Sequence, residues 1–222
     1  MTPRRRPHYR PIRLSAAPAD EPEAPSRRRG RRVGLFGGSF NPAHEGHLHI
    51  SLIALKTLKL DELWWLVSPQ NPLKPRAGMA PFEERVAGAR HLAQDRRIKV
   101  STVEHDLGLH FTADTVRALQ RRYKRTRFVW LMGADNLPGF TRWRRWAEIY
   151  RALPVAIFDR HPYACRVFSA APSIRFARHH LPERRSRRLA DLTPPVWSFL
   201  HSRLHAASAS AIRAARRTAK RR

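Results

Sequence analysis

The 222-residue chain has one cysteine, Cys165. A lone thiol builds neither a disulfide framework nor a cysteine-based zinc site within the chain, which fits a reducing compartment. No apolar run approaches the roughly 18 residues that a membrane span needs. The opening residues, MTPRRRPHYRP, lack the apolar stretch of a secretory signal. These absences point to a cytoplasmic protein with no membrane partner. Acidic residues are scarce: 17 Asp and Glu stand against 44 Lys and Arg, a formal charge of +27. Such a balance suits polyanionic partners, whether nucleic acid or phosphorylated ligands. The charge is concentrated in residues 1–32, 121–127 and 175–222. The basic stretches lack interleaved aromatics, and no helix-turn-helix, RRM or KH pattern is visible, so no specific nucleic-acid partner is expected. Weak, nonspecific RNA affinity follows from the charge alone.

Residues 1–30 hold almost no large apolar side chains and read as a disordered basic extension. The remainder, 31–222, has the length of one α/β domain with a helical C-terminal part. Apolar runs at 32–36, 62–68, 98–104, 127–135 and 154–160 read as strands. Helical patterns fall at 47–60, where Leu48, Leu52, Leu55 and Leu58 recur, and at 81–95, 112–123, 141–153 and about 209–220. Thr112 is placed to cap the third of these helices. Alternating strands and helices imply a mainly parallel sheet, in which ligands bind beyond the carboxyl ends of the strands.

The segment 34–50, GLFGGSFNPAHEGHLHI, lies at such an end. It is not a P-loop, and it does not fit GxGxxG. His44 and His47 are three residues apart, so the HExxH spacing of a zinc protease is missing as well. What it offers is a glycine pair that lets backbone N–H groups approach a ligand, the Ser39 hydroxyl, an Asn41–Pro42 turn, and two imidazoles at a helix start, where anions are favoured. Together these make a phosphate cradle. A tight strand–helix turn with histidines used as caps is the simpler alternative for any one of them.

GGSFNPAHEGHL resembles the (T/H)xGH signature of the nucleotidyltransferase superfamily. Its form is similar to that of the bacterial nicotinate-nucleotide adenylyltransferase branch. Further residues agree: SPQNPLKP with Lys74, HFTADTV with Phe111 and Thr112, MGADNL with Asp135, Trp143 eight residues on, DRHPY at 159–163, and a degenerate ISxTxxR motif, AASASAIR, with Ser208, Ser210 and Arg213. The likeness extends over roughly residues 32–215. It implies a Rossmann-like nucleotidyltransferase fold, α/β, with helices on both faces of the sheet. It also implies transfer of the adenylyl group of ATP to nicotinate mononucleotide, giving deamido-NAD and pyrophosphate.

By that resemblance, His44, His47 and Arg213 are the catalytic residues, and Gly37, Gly38, Ser39, Asp135 and Ser210 bind ATP. Lys74, Phe111, Thr112, Trp143 and Arg144 bind the nicotinate nucleotide. Mg²⁺ arrives with ATP, and no protein metal ligands are expected. For several of these the residues alone leave a simpler reading: Asp135 as a helix cap, Lys74 and Arg213 as solvated charge, and Trp143 with Trp146 as core. Trp64 and Trp65 are assigned to strand and core. The alternatives are a phosphopantetheine adenylyltransferase and a basic nucleic-acid-binding protein without catalysis. Oligomeric state is left open.

Overall fold

The computed structural model describes residues 30–70, 78–159 and 166–202. Six strands form one parallel sheet: β1 (Arg32–Gly38), β2 (Glu62–Val67), β3 (Ile98–Ser101), β4 (Arg127–Gly133), β5 (Val155–Phe158) and β6 (Trp197–Leu200). Their order is β3-β2-β1-β4-β5-β6. The chain therefore steps outward from β1 to one edge, returns to the other side of β1 with β4, and steps outward again. The switch point lies between β1 and β4, where a parallel sheet opens a crevice for ligands.

Both faces of the sheet are covered, so its strands are apolar throughout rather than alternating with polar residues. Successive side chains go to opposite faces. Leu35, Trp64, Trp130, Ile157 and Phe199 belong to one core; Phe36, Trp65, Leu131, Ala156 and Leu200 belong to the other. The first core is capped by α4 (Thr112–Arg122), α5 (Leu137–Phe140) and α6 (Trp146–Ala152). The second is covered by α1 (Glu45–Thr57), α2 (Phe82–Leu92) and a 3-10 helix, Glu183–Asp191. Two short helices, α3 (Val103–Asp106) and α7 (Ala171–Arg175), and two 3-10 turns, Ala134–Asn136 and Ala177–His179, complete the described elements. At the amino end of the sheet, Arg32 and Arg127 both bind Asp191, tying the central strands to the 3-10 helix.

Four expectations are corrected. Leu52 is 40% exposed, because α1 buries the row Ser51, Ala54, Leu55 and Leu58 instead. Ser51 can face inward because its Oγ donates to His47 O at 2.7 Å and accepts from Trp65 Nε1 at 2.8 Å, satisfying a buried indole. The third strand stops at Ser101, where its pairing with β2 ends at Leu66, and residues 103–106 turn into α3 instead of extending it. Thr112 does not cap α4; Phe111 holds the N-cap position in extended backbone, and Thr112 is the first helical residue. The helix expected over 141–153 begins only at Trp146, because Arg145 adopts a left-handed conformation (φ 56°) and pairs with Asp114 of α4. The extension at 1–29 and the helix expected near 209–220 lie outside the described residues.

Candidate active site

β1 ends in Gly37 and Gly38 at the switch point. A Cβ on Gly37 would lie 2.7 Å from Trp130 Cη2, so only glycine lets the strand end pass this indole. The chain then turns through Phe40 (φ 46°), whose buried ring packs on Phe36 and stacks on Trp65 at 5.1 Å. That anchor delivers residues 41–44 to the start of α1, with a cis Asn41–Pro42 bond.

His44 is the N-cap of α1, and His47 is its third helical residue. Their ring centroids are 3.8 Å apart. The His44 backbone N–H donates to Nδ1 of His47 at 3.2 Å. An accepting Nδ1 places the proton of the neutral ring on Nε2, making that atom a donor. His44 is 6% exposed; His47 is half-buried, with its ring 4.8 Å from that of Phe40. The pair thus sits on the α1 side of the sheet, at a helix start whose dipole favours anions.

On the α4 side, the glycine pair and Ser39 border a cleft. Ser68, Glu104, His110, Phe111, Thr112, Trp130, Asn136, Arg142, Trp143 and Arg144 complete its lining. Trp143 stands edge-on to Trp130 at 6.3 Å, and the Arg144 guanidinium lies 4.8 Å over the Phe111 ring. Phe111 and Thr112 bring the amino end of α4 to the same place. An aromatic wall, a cation and a helix start together suit a flat, anionic ring.

Of the residues singled out in the sequence, Gly37, Gly38, Ser39, Phe111, Thr112, Trp143 and Arg144 meet in this cleft. His44 and His47 are not in its lining; they stand beside the same glycine loop on the opposite face. Asp135 follows β4 in a 3-10 turn, half-buried, and its neighbour Asn136 is the one that lines the cleft. Trp143 and Trp146 are both partly buried against the core, but Trp146 packs on Tyr150 and Phe176 whereas Trp143 packs on Trp130 and Phe140 and lines the cleft. Trp64 and Trp65 are buried. Lys74, Ser208, Ser210 and Arg213 lie outside the described residues.

Sequence reasoning missed Glu104. The residue is 8% exposed, its carboxyl accepts a hydrogen bond from Thr115 Oγ1 at 3.0 Å, and it lines the cleft. Burial pushes its pKa up to about 7, against the smaller opposing effect of the Thr115 bond. A carboxyl that holds its proton near neutrality adds less negative charge to a cleft suited to anions. The only sequence signal was the Glu104–Thr115 separation of eleven residues, which means nothing without the fold. Among the described residues, no group of three or more His, Cys, Asp or Glu assembles to hold a metal ion, and no helix is long and apolar enough to cross a membrane.

A family model described as cytidylyltransferase-like matches residues 35–215. A protein of Methylorubrum extorquens named "Probable nicotinate-nucleotide adenylyltransferase" is 50% identical over 182 residues, 82% of this chain and 98% of its own length. One of the same name from a Bradyrhizobium species is 50% identical over 169 residues, 76% of this chain and 88% of its own. Among solved structures, the nicotinic acid mononucleotide adenylyltransferase of Plasmodium falciparum complexed with NaAD has the same fold, with a TM-score of 0.61 at 13% identity over 82% of each chain. The glycine-ended first strand, the paired histidines and the central switch point therefore stand in a chain that belongs to the cytidylyltransferase-like family and, within it, to the nicotinate-nucleotide adenylyltransferases.

Proposed function

We propose that the protein transfers the adenylyl group of ATP to nicotinate mononucleotide, releasing pyrophosphate and forming deamido-NAD for NAD biosynthesis. The observation that carries this reading is the placement of two different subsites on either side of one glycine loop. The imidazole pair and α1 start suit phosphate, and the aromatic cleft at the α4 start suits a pyridine carboxylate.

In this reading the mononucleotide phosphate attacks the α-phosphorus of ATP. A new P–O bond forms while the bond to pyrophosphate breaks. The attacking oxygen is already anionic, so no strong general base is required, and catalysis rests on alignment and charge stabilisation. His47 Nε2–H, with His44 beside it, donates to the α-phosphate. Gly37, Gly38 and Ser39 supply backbone and hydroxyl donors. Asp135 accepts from the ATP ribose. Trp143 stacks on the pyridine ring, while Thr112 at the α4 start and Arg144 face its carboxylate. Lys74, Ser210 and Arg213 are assigned to substrate phosphates, Arg213 by the bidentate geometry arginine offers. Mg²⁺ enters as the Mg·ATP substrate, held by phosphate oxygens and water. A cytoplasmic site of action fits the single cysteine.

Pyrophosphate release from ATP and Mg²⁺ with nicotinate mononucleotide, or with its amide counterpart nicotinamide mononucleotide, tests the reading. The acid substrate should give the higher kcat/KM; no release with either would remove the assignment, and equal values would remove the acid preference.

A further inference from the structure

We propose that Arg85 is a positioning residue for this reaction: it pins the phosphate loop after β1 and the loop after β2 to one another, fixing the distance between the groups that hold the two reactants. The inference rests on the adenylyl-transfer reading and deepens it.

Arg85 lies in the first turn of α2 and is 3% exposed. A buried cation ordinarily has a carboxylate partner. Among the described residues, Arg85 has none within hydrogen-bonding reach, and its donors go to backbone carbonyls of three separate segments. Nη1 donates to Ser39 O at 2.7 Å and to Ser68 O at 2.7 Å. Nη2 donates to Pro69 O at 2.8 Å, and Nε to Ala80 O at 3.1 Å. Burial lowers its pKa from the ordinary arginine range, and the charge of nearby Glu83 offsets that effect only in part.

The acceptors identify what is being held. Ser39 belongs to the proposed phosphate loop, and Ser68 lines the cleft. Pro69 and Ala80 flank the segment that carries Lys74. The same segments are stitched a second time, without Arg85: Ser68 N–H donates to Gly38 O at 2.9 Å, Ala80 N–H donates to Asn41 Oδ1 at 3.1 Å, and Asn41 Nδ2 donates to Gly78 O at 3.0 Å. An apolar side chain would fill this inward position of α2 equally well. Only a planar fork with five N–H donors satisfies carbonyls converging from three directions, and a lysine ammonium lacks that geometry. Because the reaction depends on alignment rather than on a base, small displacements of these loops act on the transition state.

The test is steady-state kinetics of Arg85→Lys and Arg85→Met, with Val86→Ala as a core-destabilised control on the same helix, all assayed below their melting temperatures. Each Arg85 variant should lose about 100-fold in kcat with far smaller changes in KM for both substrates, whereas Val86→Ala keeps its kcat. Ethylguanidinium added to Arg85→Ala should restore part of the loss. An unchanged kcat per folded molecule in the Arg85 variants overturns the proposal. If those variants do not fold, Asn41→Ala decides, since it cuts two of the three bonds of the second tie, those to Gly78 and Ala80; an unaltered kcat there overturns the proposal equally. A wild-type protein that releases no pyrophosphate sinks the functional reading and this inference together, whereas an active wild type with indifferent variants sinks this inference alone.

Discussion

The His44 backbone N–H donates to Nδ1 of His47 across one helical turn. The bond orients the His47 ring before any ligand arrives and places its proton on the far nitrogen. It also separates two jobs of one side chain, holding the helix start and, in the proposed reaction, donating to substrate.

Substitution can divide those jobs. In His47→Asn the side-chain oxygen replaces Nδ1 as acceptor, so the melting temperature should stay near that of the wild type. His47→Ala loses both functions. Each should lower kcat/KM by about 10²–10³-fold, the usual worth of one donor at a developing charge. Thermal melts paired with pyrophosphate-release assays check this, and near-native activity in His47→Asn would refute the assigned role.

Gly37→Ala should fail for a steric reason. The added methyl would meet the Trp130 ring at 2.7 Å inside a packed core. Overpacking of this kind costs about 1–3 kcal/mol. Urea titration should show that loss, and KM for the mononucleotide should rise because the ring that must shift lines the cleft.

Glu104 predicts a pH dependence of stability. Its folded pKa, about 7, exceeds the ordinary carboxylate value of 4.5. The native state then binds more protons than the unfolded chain between these values, so stability falls as pH rises through that window. Complete ionisation costs on the order of 3 kcal/mol. Melting temperatures from pH 5 to 8 should decline in the wild type, with the decline reduced in Glu104→Gln, whose side-chain oxygen still accepts from Thr115. Parallel curves for the two proteins would refute it.

The two tryptophans at 143 and 146 should respond differently. Trp143→Ala removes a cleft wall and should weaken mononucleotide binding by about 1–3 kcal/mol, the range for aromatic–base stacking, besides the stability lost with its packing on Phe140. Trp146→Ala removes partly buried packing on Tyr150 and Phe176 and should destabilise the fold by about 1–3 kcal/mol while leaving mononucleotide binding by the folded protein unchanged. Isothermal titration with nicotinate mononucleotide and denaturant melts separate the outcomes.

What could be read from the sequence was local. The glycine pair, Ser39 and the two histidines lie within eleven residues, so their common purpose was visible in one string, and strand–helix alternation implied the parallel sheet. Glu104 was invisible because IKVSTVE reads as continuous strand, whereas β3 ends at Ser101, paired with Leu66. Ser101 Oγ then accepts from Val103 N–H at 3.3 Å and starts the turn. Arg145 gave no warning either. Its left-handed backbone suits its pairing with Asp114, thirty-one residues earlier. Arg85 was not singled out in a chain rich in arginine, because its acceptors are backbone atoms that no pattern of side chains records.

The strand order has a consequence for how the protein comes into being. The innermost partner of β1 on its second side is β4, which follows it by about ninety positions, so the crevice between them is created by the most distant pairing of the central sheet. A chain still emerging from the ribosome holds its glycine loop and histidines long before it holds a pocket. Recovery of turnover during refolding should therefore lag any local signal from the first half of the molecule and report closure of that long-range seam.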